Sequence, residues 1–97
     1  MSPEREEAIG LIRAGYELHH ADAGDPDLAL LEGDRLYAAG LATLAAAGDM
    51  PAVRIMADVI AEAAAARGAG DEAAAEAAWE QGLRAMADGD AATGNDQ

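Results

Sequence analysis

A chain of 97 residues with 19 acidic side chains against six basic ones, all arginine, carries a net charge of −13 and has room for one hydrophobic core. That balance excludes a nucleic-acid-binding face and disfavours an anionic membrane surface, and no apolar run approaches the ~20 residues that span a bilayer. The absence of cysteine excludes a disulfide framework, a thiolate zinc site, an iron–sulfur cluster and a thiol nucleophile.

Roughly three residues in ten are alanine, far above ordinary usage, while Leu, Ile and Val are sparse and Phe is absent. Alanine is the best helix former and lets helices approach closely, so the composition points to a helical protein with a thin core. Such a core is marginal for a lone chain, and association with itself or a partner is the natural remedy. The stretch Ser2–Glu7 is charged where a signal peptide would carry its apolar run, which predicts a cytoplasmic protein.

The first helix opens at Ser2, a good N-cap, with Pro3 in the first helical position and Glu4, Glu6 and Glu7 near the positive end of the dipole. Ala8, Leu11, Ile12, Gly15, Tyr16 and His19 share one broad face, and the helix should fade around His20–Asp22. Asp25-Pro26 restarts the chain into a second helix reaching about Ala47, with Leu30, Gly33, Tyr37, Gly40, Leu41 and Leu44 as its stripe. Glycine costs about 1 kcal/mol inside a helix, so Gly33 and Gly40, two turns apart on one face, suggest a close helix crossing.

Gly48-Asp49 is a helix stop followed by a new N-cap. Val53, Met56, Ile60 and Ala64 are the expected inner stripe of the third helix, widened by Ile55 and Val59, and Arg67-Gly68-Ala69-Gly70 ends it. Asp71 caps the fourth, whose face is Ala75, Ala78, Trp79, Gly82, Leu83 and Met86 and whose stop is Gly89. Residues 1–89 then form one helical domain, and 90–97 a flexible acidic tail without apolar anchors. Short loops favour antiparallel neighbours, so the expected fold is all-α: a four-helix bundle, or two helical hairpins open to a second chain.

Trp79, the sole tryptophan, is either the main core plug or an interface anchor. Gly33, Tyr37, Gly40, Trp79 and Leu83 are the interface candidates. His19-His20 with Asp22, Asp25 and Asp27 offers imidazole and carboxylate ligands to a divalent metal. Adjacent histidines on a helix point about 100° apart, however, with His19 on the apolar stripe and His20 outward. Two histidines are also too few for a histidine–aspartate phosphohydrolase. Asp34, beside the glycine stripe, calls for a partner, with Arg13 and Arg54 the candidates. There is no lysine for a Schiff base, no serine or threonine near a histidine in sequence, and no phosphate-binding glycine loop after a strand.

The stretch Ala29-Leu30-Leu31-Glu32-Gly33-Asp34-Arg35-Leu36-Tyr37-Ala38 resembles a motif of the trans-isoprenyl diphosphate synthase (polyprenyl synthetase) family, an alanine–leucine helix with a Gly-Asp pair. Tyr16–Asp22 is similar to the helix that ends in that family's aspartate-rich metal motif, and Leu41–Asp49 to the helix end after Gly-Asp. The resemblance implies Mg2+ and a prenyl diphosphate, with Asp22, Asp25, Asp27 and Asp34 as the metal candidates. The departures are large. Asp22 stands alone where a cluster is expected, its spacing to Gly33-Asp34 is too short, and the pyrophosphate-binding arginine pair and lysines have no counterpart. The expected function is therefore non-catalytic: a small accessory or structural subunit acting through protein–protein association, with a protein partner or as a homo-oligomer. The alternative is magnesium-dependent prenyl-diphosphate binding or transfer by a truncated relative.

Overall fold

The computed structural model describes residues 1–21 and 24–95, with side chains through residue 88. They form four helices: α1 (Pro3–His19), α2 (Pro26–Ala46), α3 (Met50–Gly68) and α4 (Glu72–Asn95). No strand occurs among them. The closest pairings are α1 with α2 and α3 with α4, so the bundle is two antiparallel hairpins laid together.

The helix ends follow the capping residues. The Ser2 hydroxyl accepts from the Arg5 N–H, Asp25 accepts from the N–H groups of Asp27 and Leu28, and Asp49 accepts from that of Ala52. Asp71 does the same for Ala74. Two of the links share one design. Gly48 turns at φ 73°, which brings the Asp49 N–H to the Leu44 carbonyl at 3.0 Å. Gly70 turns at φ 77°, which brings the Asp71 N–H to the Ala66 carbonyl at 2.8 Å. Each is a glycine-closed helix end followed at once by an aspartate cap. The fourth helix does not stop at Gly89 as expected but continues to Asn95. A glycine inside a helix costs only about 1 kcal/mol, and the alanines on either side carry the helix past it. Of the expected tail 90–97, residues 96 and 97 lie outside the described residues.

Five of the twelve buried core residues are alanine. Ile12 and Tyr16 of α1, Leu44 of α2, Met56 and Val59 of α3, and Trp79 and Met86 of α4 are buried around Ala8, Ala52, Ala63, Ala75 and Ala78. The inner stripe of α3 is thus Ala52, Met56, Val59 and Ala63, not the expected Val53, Met56, Ile60 and Ala64. Val53 and Ile60 flank it and Ala64 is exposed. Close helix approach favours the smaller side chains at the centre and leaves the bulkier ones to fill the edges. Leu30, placed on the α2 stripe, is 48% exposed instead.

The glycine stripe of α2 packs inside the chain, against α1. A Cβ on Gly33 would lie 2.1 Å from the His19 ring and 2.9 Å from the Gly15 carbonyl oxygen. One on Gly40 would lie 2.6 Å from Ile12, and one on Gly15 would lie 2.7 Å from the Gly33 carbonyl oxygen. The two backbones meet almost directly. Gly15→Ala should therefore destabilise the fold by about 1–3 kcal/mol, because a backbone carbonyl cannot rotate away. Gly10, on the same helix, has nothing within 4 Å of its would-be Cβ. Gly10→Ala should stabilise by roughly 0.5–1 kcal/mol through helix propensity. Urea unfolding followed by circular dichroism separates the two, and equal effects would refute the close crossing.

Candidate functional site

Three groups of residues are candidates, and the fold treats each differently. The first is the glycine and aromatic set. Gly33 and Gly40 are buried under α1, and Trp79 is 1% exposed, so these surfaces are used within the chain. Trp79 meets Tyr16 edge to face at 5.2 Å between ring centroids, and the Arg13 guanidinium lies over its ring at 4.9 Å. Tyr37 is half-buried and meets His19 edge to face at 4.9 Å. Burial, with smaller contributions from Tyr16 and Asp34, pushes the Tyr37 phenol up to about 12, so it stays protonated. Only Leu83 of the five interface candidates is exposed.

The second group is the set of aspartates proposed as metal ligands. Asp25 spends its carboxylate on the α2 cap. Asp27 is exposed in the first turn of that helix, and Asp34 projects from its edge. Asp34 pairs with neither Arg13 nor Arg54. Its Oδ1 lies 3.0 Å from His19 Nε2, which is also 3.2 Å from the Leu30 carbonyl oxygen. Both neighbours are acceptors, so this ring nitrogen carries a proton and donates. Arg13 reaches Glu17 at 2.9 Å and Glu76 at 3.5 Å. Asp22 lies outside the described residues. Among the described residues no three His, Asp or Glu side chains gather as a metal site. The Gly33-Asp34 pair that carries the family resemblance therefore divides, Gly33 into the helix crossing and Asp34 onto its rim.

His20 was expected to face outward. Instead it stacks edge to face on Tyr16 at 4.5 Å and is only partly exposed. Burial first, and then the charges of Arg67 and His19, hold its imidazole below the ordinary histidine range. An open hollow of about 440 Å³ beside it is lined by His19, His20, Ala21, Ala64, Arg67 and Gly68. A cleft of about 180 Å³ lies between α3 and α4 with Asp58 and Glu62 on its rim, smaller than the ~300 Å³ at which small-molecule sites begin.

The third group was missed by sequence reasoning and is the outer face of α2. Leu28 is 58% exposed and Leu31 66% exposed, while Ala38, Ala42 and Ala45 continue the same side of the helix. No charged residue occurs from Leu36 to Gly48. A helical stretch apolar all round, as α2 is from Leu36 onward, belongs in an interior, yet only a narrow strip of α2, Gly33, Gly40 and Leu44, is buried. The available signal was the excess: the expected stripe accounted for fewer than half of this helix's apolar residues. No helix among the described residues is long and apolar enough to cross a membrane. No protein-family model, curated protein or solved structure matches this chain.

Proposed function

We propose that this chain is a non-catalytic association module, a small helical accessory or structural subunit that works by binding protein. One observation carries the reading: the outer face of α2 leaves Leu28 and Leu31 exposed beside an uncharged alanine surface. In a chain with a net charge of −13, evenly charged surfaces are the rule and a neutral apolar strip is the exception. The thin alanine core adds a thermodynamic motive, because covering this strip supplies burial that the monomer lacks. Asp25, His20 and the His19–Asp34 pair, by contrast, are engaged in capping, ring packing and an ion pair, which is structural work.

Native mass spectrometry of the protein purified gently from its host tests the proposal. The expected result is a mass above the 9.8 kDa of one chain. A chain that runs alone at every concentration, with no companion in the extract, would overturn it.

A further inference from the structure

We propose that the partner of this face is a second copy of the same chain, packed α2 on α2, antiparallel, about a two-fold axis. The inference rests on the association reading above and names its partner. Leu28, Leu31, Arg35, Ala38, Ala42 and Ala45 follow one another at alternating steps of three and four residues, and all are exposed. This is the spacing of a helix–helix seam, on the side of α2 turned away from Gly33 and Gly40.

Charge selects the occupant. Two chains of −13 repel wherever their carboxylates meet, but those bordering this strip, Asp27, Glu32 and Asp34, all lie at its leucine end, which antiparallel pairing sets against the uncharged alanine end. Its one charged seam position, Arg35, is already paired with Glu32 at 3.0 Å. A basic partner would find little along the alanine half to pair with, whereas a second copy sets apolar positions on apolar ones and each Arg35–Glu32 pair opposite an alanine, Ala38.

Size selects the direction. The seam has leucines at its N-terminal end and alanines at its C-terminal end. Parallel pairing sets leucine on leucine and alanine on alanine, so the helix axes would splay apart. Antiparallel pairing about a point between Arg35 and Ala38 sets Leu28 on Ala45 and Leu31 on Ala42 in both copies. Every large side chain then meets a small one, and the axes keep an even spacing of about 8–10 Å. The opposed helix dipoles also favour this direction.

Area sets the strength. The strip is about 28 Å long and about 10 Å wide. It falls short of the ~800 Å² per partner of a standard stable interface. The expected dimer therefore dissociates in the micromolar range, and screening the surrounding carboxylates with salt should tighten it.

The chain has no cysteine, so single cysteines report the register. Light scattering across micromolar to submillimolar concentration should show wild type rising to twice the chain mass, more readily at high salt. Ala42→Arg should remain a monomer with unchanged helix content, its self-affinity at least tenfold weaker. Under mild oxidation Ala38→Cys should cross-link to its own copy, since the two positions lie about 5 Å apart along the axis. Leu31→Cys and Ala42→Cys, each about 16 Å from its own copy, should cross-link only when mixed. A dimer that survives Ala42→Arg, or Leu31→Cys linking to itself, would overturn this pairing while leaving association intact. So would a wild-type chain that stays monomeric alone but enters a complex with a different protein. A chain that neither self-associates nor has any partner removes both this pairing and the association reading.

Discussion

Replacing Asp49 with alanine should destabilise the protein by about 3–5 kcal/mol. Arg5 is the reason. It sits in the first helical turn among glutamates, yet its side chain is only 4% exposed. Its Nε donates to Asp49 Oδ2 at 2.6 Å and its Nη2 to Oδ1 at 2.9 Å, a two-pronged pair. Its Nη1 donates to the Met86 carbonyl. One guanidinium thus joins the start of α1, the cap of α3 and the inner side of α4. Asp49→Ala takes the carboxylate from a buried cation and removes a helix cap at the same time. Arg5→Met should cost less, because Asp49 is the more exposed partner, at 21%, and retains the Ala52 N–H. Asp49→Asn should fall between, keeping the cap acceptor and losing the charge. Urea unfolding of the three variants gives the order. Arg5→Met proving worse than Asp49→Ala would contradict the buried cation as the critical member.

The same pair sets a pH dependence. The hydrogen bond from Arg5, aided by the Ala52 N–H, holds the Asp49 carboxyl below the usual carboxylate range. A depressed carboxyl contributes stability that is complete above its unfolded-state value, about 3.9, and is lost as pH falls through the folded-state value. The gap in stability between wild type and Asp49→Asn should therefore be widest at neutral pH and close in acid.

Trp79→Ala should cost ~3–5 kcal/mol, because it empties the largest filled volume in a core otherwise rich in alanine. The surrounding helices cannot collapse into the space, since α1 already touches α2 backbone to backbone and Val59 already presses on Gly82. Trp79→Phe should cost only about 1–2 kcal/mol. The indole N–H makes no hydrogen bond to a protein group, so phenylalanine loses ring volume and nothing polar. As the sole tryptophan, Trp79 also gives wild type a fluorescence signal from the buried core. Thermal unfolding read by circular dichroism compares all three. An unchanged midpoint for Trp79→Ala would mean that the tryptophan does not close the core.

Helix starts were legible in the sequence because caps are local chemistry. Ser2, Asp25, Asp49 and Asp71 needed only their own neighbours to be read. The glycine crossing was legible because two glycines on one helical face have few explanations. The inner stripe of α3 was not, since alanine occurs on every side of that helix and periodicity cannot choose among equals. Arg5 was hidden for a different reason. An arginine among Glu4, Glu6 and Glu7 looks like a solvated first turn, and what buries it lies 44 and 81 residues away. His19 as the partner of Asp34 was likewise a product of the crossing, which brings the last turn of α1 over the second turn of α2.

The span of the Arg5 clamp also orders events during synthesis. The last residue of α2, Ala46, is made before any of α3 and α4, although one core joins all four helices. Arg5 cannot reach Met86 until that residue has emerged too. Until then Ala8, Ile12 and Tyr16 of α1 lack the α3 and α4 side chains that bury them in the finished core. Residues 1–46 already carry nine carboxylates against three arginines, so in that interval like charge helps to keep the half-built cores of neighbouring chains apart.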